Sequence, residues 1–360
     1  MRKGLKNIQT NKKNKKIGKM KSVIFFLDSP THLRNEFKTQ MIIENNFQLE
    51  EGETNVQIFS DGEISVDYET SVRGKRVYIV SSPDNCQRLM KLNIAIDAAK
   101  RASATEIIPI IPYFPYSRQD KKDQTRGAIG AKIVAEMLEN RGSTSIITFD
   151  LHAEQIQGFF NIPVLHMEGK FLFDKKINDI YKETDGNIVL CSPDAGGAKR
   201  MKGIRDWINK KYDVDLPMIL IDKTRSKANK VDDMVVIGEV EGKDVIIIDD
   251  MADTCGTLVK ASTTLLEKGA KSVRCMVTHG VLSEPAVERL HNAINYQKTI
   301  VEFICSDTLP LGEKKVSNVY TNELINGYDI STVVSTAPQI IKAMKAIQEG
   351  VSVQKLKTKK

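Results

Sequence analysis

VIIIDDMADTCGT, residues 245–257, reads as a strand, a tight loop and the start of a helix. Four β-branched residues end in two carboxylates, Asp249 and Asp250. A continuous β-branched run of this kind suits a strand buried on both faces, the mark of a parallel sheet. The small and hydroxylated residues Asp253, Thr254, Cys255, Gly256 and Thr257 follow, and then a helical stretch over 258–269 closing on Gly269. Free N–H groups at a helix start bind phosphate. Gly256 lets the backbone approach closely, and Thr254 and Thr257 add hydroxyl donors. Asp249 and Asp250 can accept from sugar hydroxyls, which a site for phosphate alone does not need. A capped helix after a buried strand explains any one of these features. Their ordered combination points to a sugar phosphate.

Outward from this segment, similar apolar runs recur at 23–27, 76–80, 106–111, 145–149, 187–191, 217–221, 273–277 and 301–305. Between them, 87–101 and 130–139 carry apolar side chains at three- and four-residue spacing, the period of an amphipathic helix. Strands alternating with helices imply mostly parallel sheets flanked by helices, an α/β fold. About nine strands suit two domains of similar build, one over 22–167 and one over 168–347. The last helix, 337–349, ends at Gly350, and segment 348–356 is expected to pack back on the first domain.

The 360 residues are 41% hydrophobic and 28% charged, ordinary for a globular chain, and five scattered cysteines give neither a disulfide framework nor a zinc pattern. That favours a reducing compartment, read as the cytoplasm. No run approaches the ~20 apolar residues of a membrane span, so no membrane partner is expected. The net charge of +7 belongs to a tail: residues 1–21 hold nine basic and no acidic side chains, and without them 44 basic face 46 acidic residues, a net of −2. The tail is polar and is expected to be disordered, and nucleic acid is an unlikely partner for a near-neutral body.

The 245–257 segment resembles the phosphoribosyl-pyrophosphate loop of type I phosphoribosyltransferases. Four further segments choose among the enzymes that share it: FSDGE at 59–63, FPYSRQDKKD at 114–123, ITFDLHAEQIQGFF at 147–160 and SPDAGGAKR at 192–200. In this order they resemble the ribose-phosphate pyrophosphokinase family nearly residue for residue, over about 56–350. The resemblance implies two phosphoribosyltransferase-like domains and transfer of the β,γ-diphosphate of ATP to the anomeric hydroxyl of ribose 5-phosphate. It also implies a homo-oligomer, a hexamer built from dimers.

On the residues, the resemblance implies that Arg118, Gln119 and Asp123 contact ATP from a mobile loop, with Phe59, Asp61, Gly62 and Glu63 supplied by a neighbouring subunit. His152 and Asp194 fall at the Mg²⁺–ATP site. An oxygen-rich site that relies on substrate phosphates suits Mg²⁺, for which His is a less usual partner. Asp249, Asp250, Asp253, Thr254, Cys255, Gly256 and Thr257 are implied to bind ribose 5-phosphate, together with Arg225. Lys223 and Arg225, spaced two apart in an extended segment and so directed to one side, are implied to stabilise the transferring diphosphate.

Two rivals share the fold. A phosphoribosyltransferase is opposed by DLHAEQIQGFF and SRQDKKD. A catalytically inactive regulatory homologue is opposed by Lys223, Arg225, His152 and Asp194. Two departures from the family stand out: Glu154, where a small residue is usual, and SVQKLK at 352–357 in place of SVSxLF. Glu154 is expected to oppose anion binding at a regulatory site, which leaves ADP to act mainly by competing with ATP.

Overall fold

The computed structural model describes residues 20–43, 49–224, 233–311 and 332–352. Two mostly parallel sheets are flanked by helices. The first half runs β1 (Ser22–Asp28), α1 (Thr31–Ile43), β2 (Glu50–Glu51), β3 (Thr54–Ile58), β4 (Ile64–Tyr68), β5 (Arg76–Ser81), α2 (Cys86–Arg101), β6 (Glu106–Ile111), α3 (Gly130–Arg141), β7 (Ile146–Phe149) and β8 (Val164–Met167). The second runs α4 (Lys170–Glu183), β9 (Ile188–Ser192), α5 (Ala198–Tyr212), β10 (Met218–Thr224), β11 (Asp233–Ile237), β12 (Asp244–Ala252) and α6 (Gly256–Glu267). It continues through β13 (Ser272–Gly280), α7 (Ala286–His291), β14 (Glu302–Ser306), β15 (Val333–Val334) and α8 (Ala337–Glu349).

The first sheet has the order β2-β1-β5-β6-β7-β8, all parallel. The second has the order β11-β10-β9-β12-β13-β14-β15, parallel except for the β10–β11 pair. The nine apolar runs read from sequence are nine of the thirteen strands of these two sheets, with ends displaced by up to three residues, whereas β2, β8, β11 and β15 carried no such run. β12 continues to Ala252, so Asp249 and Asp250 lie within the strand, and α6 begins at Gly256, ahead of the expected 258. β3 and β4 form a separate antiparallel hairpin that no apolar run announced; its strands alternate polar and apolar residues because only one face is covered.

One apolar cluster is continuous between the halves. It takes Tyr78, Ile108 and Phe149 from the first sheet and Phe173, Ile246 and Met344 from the second half. α8 returns to the first half, where Gln348 Nε2 donates to Ser22 Oγ at 2.9 Å. Such a seam holds the carboxyl ends of the two sheets in a fixed relation. In open parallel sheets, ligands bind beyond the carboxyl ends where strand order reverses. In the second sheet that point lies between β9 and β12, the strands that lead to Asp194 and to Asp249–Asp250.

Candidate active site

A cavity of about 850 Å³ opens at this switch point and is shared by both halves. From the first half come Arg118, Asp120 and Asp123 of the loop after β6, and Asp150 to Gln155 after β7. From the second come Asp194 after β9, Lys199 and Arg200 at the start of α5, and Asp249 to Met251 of β12.

The two sides are bonded to each other. His152 Nδ1 lies 2.7 Å from Asp250 Oδ2. The hydrogen bond with Asp250 raises the His152 pKa above its ordinary value. Burial works against ionisation of Asp250, but His152 and the Arg200 guanidinium hold it well below the usual carboxylate range. Asp249 goes the other way: burial, and then the charge of its neighbour Asp250, push it well above its ordinary value. Two adjacent carboxylates thus differ in protonation tendency, the pattern of functional sites. Asp249 Oδ1 also accepts from the Asp250 N–H at 2.9 Å.

Beyond Met251 the chain enters the 253–257 loop. Cys255, in a left-handed conformation (φ 59°), turns it into α6, and the buried thiol is pushed up to about 12 by burial, which disfavours the thiolate. Arg289 Nη1 donates to Thr254 O at 2.9 Å, and a Cβ on Gly256 would lie 3.1 Å from that same nitrogen. Asp253 Oδ2 accepts from Arg118 Nη1 at 2.6 Å, which ties this loop to the one after β6.

Not every expected residue meets at the cavity. Phe59, Asp61, Gly62 and Glu63 form the exposed turn of the β3–β4 hairpin, closed by Phe59 N–H to Glu63 O and Glu63 N–H to Asp61 Oδ1. None of the four lines the cavity of its own chain. Gln119 turns toward the start of α3, where a Cβ on Gly130 would lie 2.5 Å from its Oε1. Lys223 lies on β10 opposite Met234 of β11. Arg225, Gln354 and Lys357 fall outside the described residues. Glu154 is not an isolated charge: Lys199 Nζ lies 2.9 Å from its Oε2, and this pair holds Glu154 below its ordinary pKa.

Among the described residues no cluster of three or more His, Cys, Asp or Glu could hold a metal by itself, and no helix is long and apolar enough to cross a membrane. What is present suits a hard cation that takes most of its ligands from a substrate. His152 spends Nδ1 on Asp250, which directs Nε2 away from that carboxylate, and Asp194 caps the turn before α5 by accepting from the Gly197 N–H at 2.9 Å.

Two residues at the centre of the network went unread in the sequence. Asp150 opens the DLHA segment with a strained φ of 37°, accepts from Thr278 Oγ1 at 2.5 Å and lies 3.3 Å from Arg200 Nε. Arg200 closes SPDAGGAKR. A cation in the first turn of a helix runs against the helix dipole, but Lys199 shares that turn, so this signal does not single out Arg200.

Residues 23–142 match the family described as the N-terminal domain of ribose phosphate pyrophosphokinase, and residues 210–354 match the phosphoribosyl synthetase-associated domain. The chain is 43% identical over 319 residues to the ribose-phosphate pyrophosphokinase of Caldanaerobacter subterraneus subsp. tengcongensis, covering 88% of this chain and 93% of that one. It is 45% identical over 275 residues to ribose-phosphate pyrophosphokinase A of Dictyostelium discoideum, covering 76% and 82%. Among solved structures, phosphoribosylpyrophosphate synthetase from Mycobacterium smegmatis superposes with a TM-score of 0.76 at 33% identity, over 92% of this chain and 100% of that one. The cavity thus lies in a chain that belongs to the ribose-phosphate pyrophosphokinase family.

Proposed function

We propose that this chain transfers the β,γ-diphosphate of ATP to the anomeric oxygen of ribose 5-phosphate, giving phosphoribosyl pyrophosphate and AMP. The observation that carries the reading is the shared cavity. Arg118 and His152, read as nucleotide residues, face Asp249 and Asp250, the carboxylates that precede the phosphate loop.

In this reading the N-terminus of α6 and the hydroxyls of Thr254 and Thr257 hold the 5-phosphate. Asp249 and Asp250 orient the ribose hydroxyls. The anomeric oxygen attacks the β-phosphorus in line, the bond from that phosphorus to the oxygen shared with the α-phosphate breaks, and AMP leaves. Arg118, Lys223 and Arg225 offset charge on the transferring group. Such chemistry depends mostly on positioning and electrostatics. His152 and Asp194 would hold Mg²⁺, which when bound neutralises the phosphates and acts as a Lewis acid. The exposed FSDGE turn serves the nucleotide site of a neighbouring copy, so the active form is a homo-oligomer, a hexamer built from dimers. Five free cysteines, four of them buried, suit a reducing cytoplasm.

The test is the nucleotide product formed from ATP, Mg²⁺ and ribose 5-phosphate. AMP in a one-to-one ratio with phosphoribosyl pyrophosphate is expected. ADP as the product would mean transfer of a single phosphoryl group and would overturn the reading.

A further inference from the structure

The Arg200 side chain is only 21% exposed, and its donors point into both halves of the molecule. Nε lies 3.3 Å from Asp150 Oδ1. Nη1 lies 3.4 Å from Asp250 Oδ1 and 3.9 Å from Asp249 Oδ1. Nη2 donates to the carbonyls of Leu151 at 3.4 Å and His152 at 3.3 Å. A guanidinium offers five N–H donors in a rigid fork, and here all three nitrogens are engaged.

Stability is a poor explanation for this arrangement. Taking a guanidinium and its carboxylates out of water costs about as much as their attraction returns. Arg200 also occupies the third position of α5, where the helix dipole disfavours a cation. Nor do the halves need it as a tie. They share an apolar cluster and are bonded elsewhere by Gln348 to Ser22, His32 to Asp307 and Thr278 to Asp150.

What Arg200 adds is a grip on one residue from two directions. It holds His152 by its main-chain carbonyl. It also holds Asp250 Oδ1, while the other oxygen of the same carboxylate takes the His152 ring at 2.7 Å. Ring and backbone of His152 are therefore set by a single side chain.

We propose that Arg200 is a positioning residue, one that fixes His152 against the Asp249–Asp250 stretch of β12 so that the nucleotide side and the ribose side of the cavity keep one geometry. The proposal rests on the reading of the cavity as the active site. It requires the fork and not merely the charge. A lysine could reach one carboxylate but could not span three carboxylates and two carbonyls.

The experiment compares Arg200→Lys and Arg200→Gln with the wild-type chain, whose formation of AMP separately establishes the underlying reading. Expected in both variants is a kcat lower by roughly 10–100-fold, the usual cost of losing an outer partner of a site residue, with KM for ATP and ribose 5-phosphate within about 3-fold. Amide hydrogen exchange in the substrate-free protein should rise in the 150–153 turn and not in β12 or β13. That readout needs no turnover. A near-normal kcat for Arg200→Lys would overturn the proposal, because charge alone would suffice. A raised KM at normal kcat would also overturn it, by making Arg200 a direct substrate contact. So would faster exchange throughout the core, the sign of a merely structural brace.

Discussion

Arg118 Nη1 donates to Asp253 Oδ2 at 2.6 Å, so a residue read as a nucleotide contact is bonded to one read as a ribose-phosphate contact. The Arg118 side chain is about half exposed, at 51%, and Asp253 is 26% exposed. An ion pair in that setting contributes about 0–1 kcal/mol to stability. Its significance lies in placement, since it shows the loop after β6 already reaching the loop that opens α6.

Arg118→Ala is therefore expected to leave the thermal midpoint nearly unchanged and to lower kcat by on the order of 10²–10³, the cost of removing one cation aimed at a developing charge. Thermal melts and turnover on the same preparation check both. A large loss of stability with normal turnover would reassign the pair as a structural contact.

Lys223→Ala should behave alike for a different reason. Lys223 lies on β10, whose main chain is paired with β9 over Met218–Leu220 and with β11 over Leu220–Thr224, so the strand is held by main-chain bonds. A kcat lower by on the order of 10²–10³, with an unchanged denaturant midpoint, is expected. A variant that turns over at the wild-type rate would remove Lys223 from the reaction.

The sequence disclosed the sheets better than the site. Val245 to Ile248 announce a buried strand because a strand covered on both faces has no reason to alternate. The β3–β4 hairpin escaped notice because TNVQI and ISVDY mix polar and apolar residues, and Glu50–Glu51 is too short and too charged to look like a strand. Asp249 and Asp250 were legible as two carboxylates ending a β-branched run, and motif resemblance led to His152. Asp150 and Arg200 were missed although they lie in the same motifs, because their importance is a matter of distance. They are 50 residues apart in sequence and 3.3 Å apart in space, and no spacing rule encodes that.

His32 gives a pH-dependent stability whose sign can be stated. Its Nδ1 lies 3.1 Å from Asp307 Oδ2, and Asp307, almost fully buried, also accepts from the Thr336 N–H at the start of α8. The hydrogen bond with Asp307 raises the His32 pKa above its ordinary value. A group whose pKa is raised on folding stabilises the fold fully below its unfolded pKa of about 6.5, and the contribution is lost as pH rises through the folded value. The ring is about half exposed, 48%, so solvent screening limits the effect to about 1 kcal/mol. His32→Gln should lower the thermal midpoint at pH 5.5 and leave it nearly unchanged at pH 9. An equal loss at both would mean that packing, not charge, is what His32 supplies.

Gly169→Ala tests the layer beneath the cavity. Gly169 precedes α4 with φ −56° and ψ −25°, a conformation open to any residue, so the substitution carries no backbone strain. A Cβ there would lie 2.7 Å from Asp150 Oδ2 and 2.9 Å from Thr278 Oγ1. Both distances are too short, and the atoms that must yield are the two ends of one hydrogen bond. Asp150 has little freedom to retreat: Arg200 lies on its other oxygen, and its N–H is bonded to Met167 O at 2.8 Å. Inserting a methyl into such a site costs about 1–3 kcal/mol of stability. The effect on turnover should be disproportionate. Asp150 begins the turn that carries His152, and a displacement of about 1 Å at a reacting group can lower a rate 10²-fold. Gly169→Ala is thus expected to remain folded at 25 °C, to bind each substrate with near-normal affinity, and to turn over at least 10-fold more slowly. Gly169→Ser, with the same Cβ and a hydroxyl able to donate to Asp150, should retain more activity. If both variants turn over like the wild type, the placement of Asp150 is irrelevant to the reaction, and the Asp150–Thr278 bond serves only to join the two halves.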